Sequence, residues 1–342
     1  MALLSSLAAC GGDGGDAAPA PTTGTLFLTD ATTGELAVFP TLVPAANASF
    51  DGQVAATLPA FSVAAPHQLQ SAQPLAYDGA HDELFVGGML GVSGADSGTV
   101  TVRVFSNASR MGSGAVASRV IETTSVDAVR QLFYDAGSDT LTVIGIQESI
   151  VPGFAAHVVA VRFAHASTAS GTDPATAPLV GSAVFPADGF EAAVALDSGR
   201  DVDYVTRWFA DDRGGSFLPG VAVLANASTA PATPTRMIAS ASAPNAIALD
   251  AGRDLLYVAD AQGVWLVQHA STASPTTIGP IALSTAESVA VDSGNDRLYV
   301  GANQKLYVFE RASTLTAASS VPAASVVDAA GTSHWIAGIA FE

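Results

Sequence analysis

The stretch Val289-Ala290-Val291-Asp292-Ser293-Gly294-Asn295-Asp296-Arg297-Leu298-Tyr299-Val300 decides the reading of this chain, because it recurs. Ile247-Ala248-Leu249-Asp250 leads through a turn to Asp254 and then Leu256-Tyr257-Val258. Val194-Ala195-Leu196-Asp197 leads to Asp201 and Tyr204-Val205, and Leu132-Phe133-Tyr134-Asp135 to Asp139 and Leu141-Thr142-Val143. Leu75-Ala76-Tyr77-Asp78 continues to Asp82 and Leu84-Phe85-Val86. Each copy has the grammar of a hairpin: an apolar strand, a turn rich in Asp and Gly, and a second β-prone strand. The first strand is apolar on both faces, with Ala alternating against larger residues. That pattern suits an innermost strand squeezed between neighbouring units. The acids resemble cation loops in composition, but their return in every intact hairpin favours a turn.

A sixth copy is split between the ends of the sequence. Ile339-Ala340-Phe341-Glu342 matches the first strand, and Leu26-Phe27-Leu28 matches the second. Pairing strands from the two ends within one unit closes a ring and hides sheet edges that would otherwise aggregate. A second motif has the same period: Asn47-Ala48-Ser49, Asn107-Ala108-Ser109, His165-Ala166-Ser167, Asn226-Ala227-Ser228, His269-Ala270-Ser271 and Arg311-Ala312-Ser313. Three copies mimic glycosylation acceptors, yet the slot also holds His and Arg, so a turn at a strand end is the better reading. Residues 24–342 divided among six units give about 53 each, near the larger propeller repeats. The expected fold is all-β, a six-bladed β-propeller closed by its N- and C-terminal strands. A parallel β-helix is the rival, but its rungs are shorter and would not need matching ends.

The repeated aliphatic-Ala-aliphatic-Asp and Leu-Tyr-Val units resemble blades of the NHL and YVTN-type propellers in the six-bladed TolB-like group, over residues 24–342. The Ala-Ser-Thr turns at His165 and His269 are similar to those of bacterial envelope proteins with such blades. The resemblance implies blade geometry and carries no chemistry, since such folds host hydrolases and pure binding platforms alike.

The chain has 342 residues, 49% of them hydrophobic, with 13 Lys and Arg against 31 Asp and Glu for a net charge of −18. A surface so acidic repels phosphate backbones, so nucleic acid is not an expected partner. Anionic lipid head groups are disfavoured for the same reason. One cysteine excludes an internal disulfide framework. Leu7-Ala8-Ala9-Cys10 ends a short apolar stretch in small residues and resembles the lipobox of bacterial lipoproteins, in which the cysteine is acylated. It departs from that pattern in having nothing basic before Leu3 and a short apolar region. Residues 1–10 are thus expected to be part of a lipoprotein signal peptide, 11–23 a low-complexity tether, and Cys10 the anchor that holds a monomeric propeller to the cell envelope. The membrane enters only through that lipid.

Candidate site residues follow from the repeat register. If the Asp-rich turns share one face, the opposite face holds the start of each inner strand and the end of each second strand. Five residues before the repeat acid stand Gln73, Arg130, Ala192, Asn245, Glu287 and Ala337, with Glu191 and Trp335 beside them. The second strands end near Asp30, Arg207, Asp260 and Asn303. Three successive connections on this face are long, 87–98, 144–156 and 206–220, the last carrying Trp208. Long loops on a rigid scaffold commonly carry function. The first reading is a platform that docks an envelope protein or glycan through Gln73, Arg130, Glu191, Asn245, Glu287, Trp335, Arg207 and Trp208, with no cofactor. The second is similar to the gluconolactonase group: Glu191, Asn245, Glu287, Asp260 and Asp30 would hold Ca²⁺, which takes carboxylate and amide oxygens and would polarise an ester or lactone carbonyl. Solvated polar loops around a water-filled channel are the third. The six histidines show no metal-ligand spacing, and no nucleophile elbow or phosphate-cradling loop is present.

Overall fold

A computed structural model describes residues 23–31, 33–45, 48–57, 74–89, 100–126, 128–147, 157–171, 193–207, 219–226, 234–240, 242–316, 324–327 and 335–342. It is a six-bladed β-propeller. Blade one runs from the innermost strand Ile336–Phe341 through Leu26–Asp30 and Glu35–Phe39 to Val54–Thr57. The innermost strands of the others are Leu75–Asp78, Ala128–Asp135, Val194–Asp197, Pro244–Asp250 and Ala286–Asp292. Each pairs antiparallel with the next strand in sequence.

The ring closes as the split repeat requires. Leu26 pairs with Phe341, Phe27 with Ala340 and Leu28 with Ile339. Beyond the ladder, the Glu342 N–H donates to the Thr25 carbonyl at 2.9 Å, and the Thr25 hydroxyl to the Glu342 carboxylate at 3.0 Å. Phe27, Leu26 and Leu28 are fully buried, so closure seals apolar clusters against both neighbouring blades.

The two sequence motifs turn out to be halves of one device. The second acid of each turn sits in the left-handed region: Asp82 (φ 52°), Asp139 (48°), Asp201 (54°), Asp254 (55°) and Asp296 (53°). Asp tolerates this conformation better than most residues. Its backbone carbonyl accepts the N–H of the motif alanine, as from Ala270 to Asp254 at 3.2 Å and Ala312 to Asp296 at 2.8 Å. Its carboxylate accepts both the N–H and the hydroxyl of the motif serine: Ser109 on Asp82, Ser167 on Asp139, Ser271 on Asp254 and Ser313 on Asp296, all at 2.7–2.9 Å. The alanines are fully buried, and the residue before each is itself left-handed (Asn107, His165, His269, Arg311). Asn, His and Arg interchange there because the clamp, and not the side chain, holds the backbone. The first acid of each turn is engaged by donors two and three residues on, as Asp197 is by Arg200 and Asp250 by Arg253; both arginines also reach a carbonyl of the next blade.

One copy departs from the expected turn. Ala48–Ser49 instead pairs in parallel with Val326 and Val327 on the outer edge of blade six. The hairpin of blade one is split, so no turn aspartate stands ready to clamp Ser49. Strands also continue past the expected loop starts: Glu83–Met89, Thr140–Gln147 and Val202–Arg207 all run on as paired strand.

The seam between blades three and four differs from the others. Leu84, Leu141, Leu256 and Leu298, two residues after the clamp aspartate, are fully buried against the preceding blade. Blade four has Asp203 there, 9% exposed. Burial pushes its carboxyl up to about 6, against the pull of Arg162 from blade three. An acid whose pKa is raised by folding costs stability as pH climbs from about 4 through 6, and the loss persists above that window. Asp203→Asn should therefore raise the melting temperature by a few degrees at pH 7.5, on the order of 2 kcal/mol, with the gain vanishing near pH 4. Scanning calorimetry at both pH values checks this; equal stabilities at pH 7.5 would show that the acid is well accommodated.

Candidate ligand site at the channel mouth

The inner strands carry a repeated irregularity at one level. In blade six, Ala286 pairs with Ala302 and Ser288 with Gly301, leaving Glu287 as the extra residue. In blade five, Pro244 pairs with Asp260 and Ala246 with Ala259, leaving Asn245. Arg130 is left over between Val129 and Gln131 in blade three, and Ala337 between Ile336 and Gly338 in blade one. A β-bulge frees one residue from the ladder and re-aims its side chain, a common device beside functional sites. Here four blades bulge at the position five residues before the repeat acid. The same position in the other two blades, Gln73 and Ala192, lies outside the described residues.

Arg130, Asn245, Glu287 and Trp335 all line one cavity of about 570 Å³ in the central channel. Its walls are otherwise mostly aliphatic, with Phe133, Val289, Val291 and Ile339 among them. Arg130 and Glu287 are its ionisable side chains among the described residues. With Ala337, which lines it too, the structure therefore brings together five of the residues singled out by repeat register. Glu191, Gln73, Trp208 and Cys10 lie outside the described residues. Arg207 is placed only by its backbone, paired with Gly220.

The remaining polar groups fall into anchored and open sets. Asp260 is fully buried, and its carboxylate accepts the N–H groups of Gln262 (2.7 Å) and Gly263 (3.2 Å), the Trp265 indole N–H (2.9 Å) and the Ser240 hydroxyl (3.1 Å). Asp30, equally buried, accepts the Trp335 N–H at 3.0 Å and the Thr33 hydroxyl at 3.1 Å. These two acids hold turns and the Trp335 backbone. Gln131 accepts the Val194 N–H at 2.6 Å, and the Ser288 hydroxyl donates to the Ile336 carbonyl at 2.7 Å, each tying its bulge to the next blade. Gly301 makes room for that second bond, since a Cβ there would fall 2.3 Å from the Ser288 hydroxyl. Asn245 donates its Nδ2–H to the Ala286 carbonyl at 2.8 Å, which leaves Oδ1 as its acceptor. Glu287 is half-buried, and among the described residues no hydrogen bond or ion pair reaches its carboxylate. Burial alone pushes it up to about 7. Among the described residues no group of three or more His, Cys, Asp or Glu side chains is placed to hold a metal ion.

Sequence register found the bulge residues but missed Phe133, Gln131 and Ser288, which lie inside the apolar strand pattern and look like core. No family model matches the sequence, and no curated protein matches it in sequence. Solved structures are similar in fold. A chain of the nidogen–laminin complex is 13% identical, with 93% of this chain and 97% of that one covered and a TM-score of 0.56. The periplasmic gluconolactonase of Pseudomonas aeruginosa is 15% identical, with 93% and 98% covered and a TM-score of 0.53. A putative 6-phosphogluconolactonase of Bacteroides fragilis is 11% identical over 94% and 98%, with a TM-score of 0.50. At these identities the likeness is one of fold, and it defines the class of the chain: a six-bladed β-propeller.

Proposed function

We propose that this chain is a binding platform that receives part of an envelope protein or glycan at its channel mouth. The observation that carries this is the set of inner-strand bulges: four blades bulge at one level of the channel, where chemically unlike residues line a single cavity. Trp335 offers an aromatic side chain, while Asn245 and Glu287 offer polar contacts that no donor fills among the described residues. Small-molecule sites have this composition, mostly apolar with a few placed polar groups. The Ca²⁺-dependent hydrolase reading has weaker support, although two structural neighbours are called gluconolactonases. Two of its five ligands, Asp30 and Asp260, are already engaged by protein donors. We read the blades as NHL- or YVTN-like and the leader as a lipoprotein signal that tethers the platform through Cys10.

Both halves of the proposal are testable on the full chain. Replacing Cys10 with Ser should move the protein from the membrane fraction to the soluble one; a wild type already soluble and unacylated would remove the tether. A panel of envelope glycans and peptides should contain members that change tryptophan fluorescence in the wild type, and Trp335→Phe should abolish that change. Binding that survives Trp335→Phe, Asn245→Ala and Glu287→Gln alike would place the site elsewhere.

A further inference from the structure

We infer that the channel mouth takes a primary ammonium group on an apolar stem, as in a lysine side chain of a basic protein partner, with Glu287 as its counter-ion. This rests on the channel-mouth reading above and says what the ligand must be chemically. Blades five and six both present acceptors. Asn245 fixes one of its two amide hydrogens on Ala286 and keeps its Oδ1 as an acceptor, and no described donor reaches the Glu287 carboxylate. An ammonium has three donors and no acceptor, which complements that pair. Trp335 lines the same cavity, and an indole attracts cations through its quadrupole. Val289, Val291 and Ile339 line the wall below, suited to a methylene stem and poorly suited to the hydroxyls of a sugar. A bare divalent cation would need six or more oxygens, whereas these walls are mostly aliphatic. The chain's charge of −18 also steers basic partners towards it.

The carboxylate must be ionised to pair with an ammonium, and burial sets its free value at about 7. Arg130, on blade three, is the other charged group lining the cavity among the described residues. Ionised Glu287 falls from about nine-tenths at pH 8 to about one-tenth at pH 6, so affinity should weaken about ten-fold over that interval.

Calorimetry on the full chain tests this with Nα-acetyl-lysine methylamide, its neutral norleucine counterpart, glucosamine and CaCl₂. The expected result is that the lysine probe binds, the norleucine probe is at least ~10-fold weaker, and Glu287→Gln removes the difference together with the pH dependence. Lysine binding that is equal for norleucine, or unchanged in Glu287→Gln, overturns the inference. If glucosamine or Ca²⁺ binds and the lysine probe does not, the inference fails while the channel-mouth site stands. If fluorescence of Trp335 responds to no member of any panel, the site itself fails. Glu287→Gln removes a buried charge, so it should fold at least as well as the wild type, and a melting curve verifies that.

Discussion

Deleting residues 335–342 should leave a chain with no cooperative thermal transition, recovered largely as aggregate. The segment supplies the innermost strand of blade one, and its loss strips one whole side of the ladder from Leu26–Asp30, leaving only the pairing with Glu35–Phe39. Phe27, Leu26 and Leu28, fully buried in the intact ring, would face water along an open sheet edge. Burying such side chains contributes roughly 1.5–3 kcal/mol each, so exposing three of them approaches the net stability of an ordinary domain. The Ser288 hydroxyl and the Asp30 carboxylate would also lose their partners at Ile336 and Trp335. Deleting residues 11–21 should shift the melting temperature by no more than about a degree, since the ladder begins at Leu26. Circular dichroism melts of the two deletions make the comparison; a C-terminal deletion that melts like the wild type would contradict ring closure.

Asp254→Ala should cost about 3–4 kcal/mol in chemical denaturation, far more than an exposed-turn substitution. The mutation removes a carboxylate that accepts two donors from Ser271 and leaves the partly buried N–H of that serine without this partner, a loss of about 1–3 kcal/mol. It also forces alanine to hold φ 55°, which adds about 1–2 kcal/mol. Asp254→Asn keeps an oxygen acceptor and the tolerance for that conformation, so its cost should stay near 1 kcal/mol. Ser271→Ala loses only the hydroxyl bond and should cost about the same. If Asp254→Ala and Asp254→Asn were equally mild, the clamp would be a consequence of the turn and not its cause.

The same clamp explains why the fold was legible. A left-handed aspartate followed by a fixed serine demands particular residues, so it leaves a trace in each of the four blades where the clamp is described. Closure was legible because Leu26-Phe27-Leu28 and Ile339-Ala340-Phe341 complete one another. The bulges leave no such trace: Arg130, Asn245, Glu287 and Ala337 share a geometry and no chemistry, and only their distance from the repeat acid marks them. Asp260 and Asp30 illustrate the opposite difficulty. An acid at a strand end looks available in sequence, but its availability depends on where Trp265 and the Gln262 backbone point, which is a tertiary fact. Asp203 was readable in principle, since it stands where the other hairpins carry leucine; its cost became visible only with its burial between blades. Ala48–Ser49 reads like its counterparts and behaves differently from the four that are described, because its partner turn is divided between the two ends of the chain.

Glu287 is a carboxyl held half-buried at the channel mouth, and no partner reaches it among the described residues. Carbon-13 NMR of the side-chain carboxyl, assigned by comparison with Glu287→Gln, measures its titration directly. In the free chain it should titrate near 7, well above an ordinary glutamate, and fall by one unit or more when the lysine probe saturates the channel. A Glu287 that titrates in the ordinary carboxylate range and does not respond to the probe would contradict the account.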